Sequence, residues 1–336
     1  MRLISNRNIL EEISVLTYSR TLQRRFVSGR HTSLVLLLLS VAVWCIGLFM
    51  NSRPEYICWP GYSFSLPGEI ISVAVPLLCY VAVGFVLVSF HLHESRIHWL
   101  VPLYLFVVAV SMTIHYDVVA SVSTLLFMLL MRELLASQQG EDVAGSLFTS
   151  FALSGLLSFL LPQFLSLLPM LLVYVFIANM TGIKNFMAAI LGLLLPFWLF
   201  FGAMYVWPGI AVVIPSWGSF VASMDLAGAV DITPSRLILL ITELMVMLPA
   251  FVVFARSSVP SKPQVRRKFL FVMVVNVWLL LLSCVSASNF ELLYAWRVPG
   301  IAVMASYLFS FRATRFSNVY FILVFLLWGV IAVFSV

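Results

Sequence analysis

Eleven apolar runs occupy most of this 336-residue chain, and each is near the length that crosses a lipid bilayer. Because the hydrocarbon core offers no water to the backbone, such runs must form helices that satisfy their own peptide groups. The sequence therefore predicts an all-α fold, a polytopic bundle of about eleven transmembrane helices. The predicted spans are about 33–50, 70–90, 99–114, 118–135, 145–161, 164–180, 186–206, 236–255, 269–286, 298–311 and 317–335.

Composition excludes a soluble globular domain. Hydrophobic residues make up 62% of the chain and charged residues only 10%, whereas a soluble domain carries roughly a quarter charged residues. The four cysteines include no CxxC pair and no Cys/His zinc spacing. No phosphate-binding loop, dinucleotide fingerprint or catalytic motif occurs either. The sequence thus predicts no disulfide, no cofactor and no metal site.

The distribution of basic residues predicts the orientation in the membrane. With the N-terminus in the cytoplasm and eleven crossings, 16 of the 19 Lys and Arg residues fall on the cytoplasmic side. This asymmetry is the positive-inside pattern, and it places the C-terminus on the extracytoplasmic side. The net charge of +6 is then a signal of orientation. The expected partner is the lipid bilayer, with no nucleic acid.

The chain is predicted to divide into an N-terminal segment, residues 1–32, and a transmembrane bundle, residues 33–336. The first part is basic and amphipathic, which indicates a helix on the cytoplasmic membrane surface or a partly ordered tail that only sets orientation. The first apolar run begins at about Ser33, behind a long basic tail, and has no small-residue cleavage site, so we expect an uncleaved anchor. Residues 208–235 are apolar but interrupted by Pro and Gly, which fits a surface-lying or a re-entrant helix.

One apolar stretch, residues 145–207, is predicted to make three crossings, broken near Pro162 and at 181–185. Four serines recur in its first crossing at a spacing of four, which places them on one helix face where a neighbouring helix can approach closely. They are Ser146, Ser150, Ser154 and Ser158. No acid or base within sequence reach makes one of them a nucleophile. The stripe predicts a helix-packing surface and marks this stretch as the packing centre of the bundle.

Glu243 is the sharpest candidate for chemistry. It lies seven residues after Arg236, which is about 10 Å inside an apolar run at helical rise. A carboxylate at that depth costs a few kcal/mol or more unless it is protonated, paired or facing water. The position predicts a proton or cation site, a group that holds a polar substrate, or a structural Glu that is protonated or hydrogen-bonded. Asn276, midway along a later span, is the candidate partner.

Three arginines on the extracytoplasmic side, Arg53, Arg236 and Arg297, form a second candidate set. Guanidinium groups suit phosphate or carboxylate recognition, as a lipid-linked pyrophosphate requires. The alternative is that all three extend to the membrane interface and bind no substrate. The cytoplasmic sequence HLHESRIH, residues 91–98, has the residue types of a zinc site, but we interpret it as a connector with incidental histidines.

The sequence over about residues 125–200 resembles a known family. The shared pattern is a short polar connector, a helix with small residues that include Gly155, an LLP element, and two helices that end in GLLLP, residues 192–196. In these features the chain is similar to an uncharacterised polytopic inner-membrane family of the Bacteroidetes. The resemblance implies a bacterial inner (cytoplasmic) membrane and supplies no activity.

Three functions remain open from the sequence. The favoured one is a non-catalytic or assembly role in the bacterial cell envelope, alongside partner subunits in the membrane. A membrane enzyme acting on lipid-linked glycans requires the three arginines to converge on one outward-facing cavity. A proton-coupled transporter requires Glu243 to face a polar cavity reachable from one side.

Overall fold

The computed structural model describes residues 22–29, 31–50, 67–90, 98–111, 114, 117–137, 142–178, 180, 182–207, 233–256, 263–286, 289–311 and 315–334. Every regular element in these ranges is a helix. The α-helices are α1 (Leu22–Ser28), α2 (Thr32–Met50), α3 (Pro67–Ser89), α4 (Leu100–Val110), α5 (Val118–Ala136), α6 (Val143–Leu160), α7 (Leu168–Ile177), α8 (Ile183–Val206), α9 (Pro234–Arg256), α10 (Pro263–Val285), α11 (Phe290–Phe311) and α12 (Arg315–Phe334). A 3-10 helix, Pro162–Leu167, precedes α7.

The helices have the character of membrane spans. Six of them, α5, α6, α8, α9, α10 and α11, are long and apolar enough to cross a bilayer. The prediction of an all-helical membrane fold is confirmed at this level. Each predicted span overlaps a described helix, but α4 has only 11 residues, about 17 Å at helical rise. The span predicted at 99–114 is therefore too long, because α4 ends at its cap residue Ser111.

Aspartates begin two of the long helices. Asp117 precedes α5, and its Oδ1 accepts hydrogen bonds from the backbone N–H groups of Val119 at 2.8 Å and Ala120 at 3.1 Å. Asp142 precedes α6 and accepts from the N–H of Gly145 at 3.0 Å. Each carboxylate satisfies donors that a helix start leaves unpaired. The polar break predicted between the third and fourth spans therefore ends in a cap that starts α5.

The centre of the bundle is α11. It packs against α1, α3, α4, α5, α9 and α10. Of its most apolar 18-residue segment, 89% is buried inside the protein. The stretch 145–207, predicted as the packing centre, contains α6 and α8, which make the most extensive helix contact among the described elements. However, only 11% of the most apolar 18-residue segment of α8 is buried. That prediction is wrong because α8 lies at the edge of the bundle, against one face of α6.

Two glycines bring α6 and α8 into backbone contact. A Cβ on Gly155 would collide with the carbonyl oxygen of Leu193, and a Cβ on Gly192 would collide with that of Phe148. Small residues allow this approach between membrane helices. Phe159 lies on the same face of α6, since its ring contacts those of aromatic residues on α8.

A residue of α1 holds the C-terminal end of α11. Gln23 Nε2 donates to the carbonyl oxygen of Phe309 at 2.7 Å, and its backbone N–H donates to Asn318 Oδ1 at 2.8 Å. Ser317 Oγ donates to Gln23 Oε1 at 2.8 Å. We call these contacts the Gln23 clasp. The described part of the predicted N-terminal segment thus packs into the bundle, while residues 1–21 lie outside the described ranges.

Candidate functional site

Arg297 lies inside α11. The helix begins at Phe290, eight residues before the predicted start of the span 298–311. Arg297 is therefore about 10 Å along the helix axis, and its side chain is fully buried. The sequence placed this arginine in a loop at the membrane interface. The structure corrects that position, because neighbouring helices cover the polar first turns of α11.

Glu243 of α9 is the charged partner of Arg297. The distance between Arg297 Nη1 and Glu243 Oε2 is 3.0 Å, and the two side chains are 0% and 1% exposed. Ionisable groups inside membrane bundles pair in this way because an isolated charge in hydrocarbon is costly. The helix contact between α9 and α11 thus contains a sealed ion pair.

The polar atoms of this pair are poorly satisfied by the rest of the described protein. Within the described ranges, no hydrogen bond is made by Arg297 Nε, Nη1 or Nη2, or by either Glu243 carboxylate oxygen. The 3.0 Å approach is electrostatic, without the alignment that a hydrogen bond requires. Buried donors and acceptors left without hydrogen bonds cost about 1–3 kcal/mol each, and more when charged. The pair thus contains several buried donor and acceptor atoms that make no hydrogen bond with the described residues.

Two aromatic rings of α11 flank the guanidinium. Its Cζ lies 5.5 Å from the centroid of Phe290 and 5.4 Å from that of Tyr294, within cation–π range. The Tyr294 hydroxyl accepts a hydrogen bond from Ser111 Oγ at 3.2 Å. A polar connection therefore extends from the end of α4 to the residues around the ion pair.

A second ion pair lies at the start of the same two helices. Arg236 Nη2 of α9 is 3.5 Å from Glu291 Oε1 of α11, with side chains 27% and 44% exposed. Such partly hydrated pairs contribute about 0–1 kcal/mol. Arg236 Cζ also lies 5.4 Å from the Phe290 ring, so the outer and the inner arginine flank one phenylalanine. We call these two Arg–Glu pairs and Phe290 the paired-arginine site.

The charges in this site alternate. Helix α9 carries Arg and then Glu seven residues later, and α11 carries Glu and then Arg six residues later. Since the pairs join positions near the starts of both helices, α9 and α11 run in the same direction. A shift of one helix turn would separate both pairs, so the alternation fixes the register between the helices.

Asp117 lies at the same end of the bundle. Burial raises the pKa of its carboxyl, the two backbone N–H groups that it accepts from oppose that rise, and the negative charge of Glu291 adds to it. The connector between α4 and α5 lies against α11, since Ser111 donates to the hydroxyl of Tyr294. The start of α5 is therefore at the end of the bundle where α9 and α11 begin.

The predicted partner of Glu243, Asn276, makes a different contact. Its Nδ2 donates to the carbonyl oxygen of Val272 on its own helix at 2.8 Å, and its buried Oδ1 makes no hydrogen bond with the described residues. The side chain packs against Gly300, where an added Cβ would collide with it. Asn276 thus joins α10 to α11 one turn beyond Arg297.

The serine stripe of α6 is buried over most of its length. Ser150, Ser154 and Ser158 are buried, and Ser150 Oγ donates to the carbonyl oxygen of Ser146 at 2.7 Å. Ser154 Oγ and Ser158 Oγ have no hydrogen-bond partner in the described ranges. At 100° per residue the stripe lies away from the Gly155 face. The stripe therefore does not form the glycine contact with α8.

The remaining candidates are divided between described and undescribed residues. Arg53, residues 91–97 of the histidine-rich connector and residues 208–232 lie outside the described ranges. Within those ranges, no group of three His, Cys, Asp or Glu side chains is placed to hold a metal ion.

Sequence reasoning missed the pairing of Glu243 with Arg297 and the position of Tyr294 beside it. It assigned Arg297 to the extracytoplasmic side because the predicted span, 298–311, begins one residue after it. The signal that could have found the pair is the reversed charge order on two adjacent apolar helices.

Comparison of the chain with protein-family models, with curated proteins and with solved structures found no match. The function must therefore be argued from the site itself.

Proposed function

We propose that the protein is a multi-pass protein of the bacterial inner membrane, with about eleven crossings, a cytoplasmic N-terminus and an extracytoplasmic C-terminus. The distribution of Lys and Arg supports this orientation. So do the contacts at the two ends of the bundle. Alternate crossing puts the starts of α5, α9 and α11 on the outer side, where Arg236 meets Glu291. It puts the Gln23 clasp on the cytoplasmic side.

Within that topology, the proposed activity is proton-coupled transport, with Glu243 as the group that gains and loses the proton. Glu243 is sealed against Arg297 in this structure, so the mechanism includes a second state in which α9 and α11 separate and a polar path reaches the carboxylate. The observation that carries this proposal is the buried Arg297–Glu243 pair at the centre of the bundle. Intramembrane ionisable residues are rare and mark ion pathways and proton relays. In this mechanism Arg297 stabilises the ionised carboxylate, and protonation of Glu243 releases the attraction between α9 and α11.

The other two functions receive less support from the geometry. Recognition of a lipid-linked pyrophosphate requires three arginines that converge on one outward-facing cavity, whereas Arg236 and Arg297 are each paired with a different glutamate at a different depth along α9 and α11. An assembly role needs no buried charge, since glycine contacts such as that between α6 and α8 hold helices together without one. The ion pair is the feature that sets the transport proposal apart from both.

Carbodiimide labelling tests the proposal without knowledge of the substrate. Dicyclohexylcarbodiimide enters membranes and reacts with protonated carboxyl groups, so it reports whether Glu243 becomes protonated and reachable. We expect mass spectrometry of the protein in proteoliposomes to find the adduct on Glu243. The yield should fall as the pH rises, because the ionised carboxylate does not react.

Two variants control this experiment. Glu243→Gln should abolish the adduct on this peptide, and Glu133→Gln, a carboxyl near the end of α5, should leave it unchanged. An unlabelled Glu243 over the whole pH range in which the protein stays folded would refute transport by this route. The pair would then be a sealed structural link, as an assembly role expects.

A further inference from the structure

The substrate of the paired-arginine site can be inferred from its unused hydrogen-bonding groups. A guanidinium has five N–H donors, and Arg297 makes no hydrogen bond with any described residue. It is also fully buried and faces a carboxylate at one position only, Oε2 of Glu243 at 3.0 Å. A buried arginine with free donors is suited to an acceptor that carries negative charge.

Charge balance decides when that acceptor can bind. While Glu243 is ionised, the inner pair is neutral and offers no net positive charge to offset the cost of burying a further anion. Once Glu243 is protonated, Arg297 holds a positive charge in an apolar interior, and a monovalent anion restores neutrality. Binding of one proton and binding of one anion therefore favour each other.

Among the described residues, no second carboxylate contacts Arg297 in a way that could replace the anion. Helices α11 and α12 pack against α9. The ionisable groups they place near Glu243 are Arg297 and Tyr294 of α11. On α12 the nearby group is Tyr320, whose hydroxyl donates to the carbonyl oxygen of Met245. Among the described residues, Arg297 is the cation that loses its counter-charge when Glu243 is protonated.

An entry route follows from the outer ion pair. Arg236 is partly exposed at the end of the bundle, and its Cζ lies 5.4 Å from the Phe290 ring. Arg297 lies 5.5 Å from the same ring. Both arginines contact this one ring, so an anion that passes from the outer to the inner arginine moves past Phe290.

We propose that the paired-arginine site carries a small monovalent anion together with one proton, so that each transport step moves no net charge. This inference rests on the proposed proton-coupled function and adds the class of substrate. The anion binds Arg297 in place of the Glu243 carboxylate, which is then protonated. Release of both on the other side restores the ion pair.

Proteoliposomes that contain a pH-sensitive dye test the proposal. N-methyl-D-glucamine salts of chloride, nitrate and gluconate serve as halide, oxyanion and carboxylate probes, each applied as an inward gradient at equal pH. We expect at least one of them to acidify the lumen faster than in protein-free liposomes. Clamping the voltage with potassium and valinomycin should leave the rate unchanged, because the step is electroneutral.

Matched variants connect the flux to the site. Arg297→Lys keeps the charge but loses the planar fork, and we expect anion-driven acidification to fall about tenfold or more. The double variant Glu243→Gln/Arg297→Gln removes both charges together, so it should fold and show no coupled flux. Arg267→Gln removes an exposed arginine of α10 and should behave as wild type. Thermal unfolding of each variant verifies that it is folded.

Two results would overturn the inference. One is acidification driven by a sodium or a neutral-solute gradient with no response to the three anions. The other is no anion-driven acidification although the carbodiimide labels Glu243. In either case the substrate class is wrong while Glu243 remains a proton site. Absence of both labelling and flux would refute the proposed function itself.

Discussion

Helices α11 and α8 are both long enough to cross a membrane, yet they occupy opposite environments. Of the six long apolar helices, α11 is the least apolar and is 89% buried, while the more apolar α8 is 11% buried. A water-soluble protein would have the reverse order, with its most apolar helix inside. In this pair, the more apolar helix faces the surroundings of the bundle, and the helix that carries polar groups lies in its interior.

The two helices are also held by different forces. α11 carries Arg297 and meets several helices through charges, aromatic rings and the Asn276–Gly300 contact. α8 joins α6 through close backbone packing at Gly155 and Gly192. Loss of a group should therefore cost most at α11, where a buried charge would be left alone, and less at α8, where only packing changes.

The largest effect is expected from Arg297→Gln, which leaves the Glu243 charge buried without its partner. Removal of one member of a buried pair costs about 3–5 kcal/mol. We expect the variant to lose most of its folded population in a titration with sodium dodecyl sulfate in mixed micelles. Addition of Glu243→Gln should recover much of the loss. A double variant no more stable than the single one would show that the charges do not interact.

An intermediate effect is expected from Leu194→Lys, at an exposed position near the middle of α8. If this face lies in lipid, a lysine at the centre of the span costs about 2.5–3.5 kcal/mol of insertion free energy. Glycosylation mapping of membrane insertion should then show a lower inserted fraction of this segment. Insertion equal to that of a Leu194→Ala control would mean that α8 does not face hydrocarbon.

A smaller effect is expected from Gly155→Ala, whose new Cβ would press on the backbone of Leu193. Overpacking of this kind costs about 1–3 kcal/mol. Gly202→Ala on α8 is the matched control, since a Cβ there meets no atom within 4 Å. The control should be neutral or stabilised, by up to about 1 kcal/mol. Equal stability of the two variants in the same micelle titration would contradict close α6–α8 packing.

The helices were predictable because apolar length is a local signal. The break near Pro162 matches the end of α6, and the break at 181–185 overlaps the first turn of α8, which begins at Ile183. The start of α11 was not predicted, because its first turns contain Glu291 and Arg297 and the apolar run begins only after them. Hydropathy records how each residue interacts with water and contains no information on which helices meet.

For the same reason, the sequence predicted one member of the inner ion pair, Glu243, and missed the other, Arg297. Glu243 was identified because burial of a carboxylate inside an apolar run costs free energy whatever the fold. Its partner was assigned to Asn276, yet the structure gives Arg297, since pairing depends on the contact between α9 and α11. The serine stripe was a genuine periodicity, but periodicity alone does not say which neighbour a face meets.

The Gln23 clasp has a consequence for the order of events during biosynthesis. Gln23 is translated early, whereas Phe309, Ser317 and Asn318 are among the last residues of the described bundle to leave the ribosome. The clasp can close only after α11 and α12 have been released to the membrane. Until then α1 can contact only earlier parts of the chain, such as Trp99 through the ring of Phe26, and closure of the clasp is a late step of tertiary assembly.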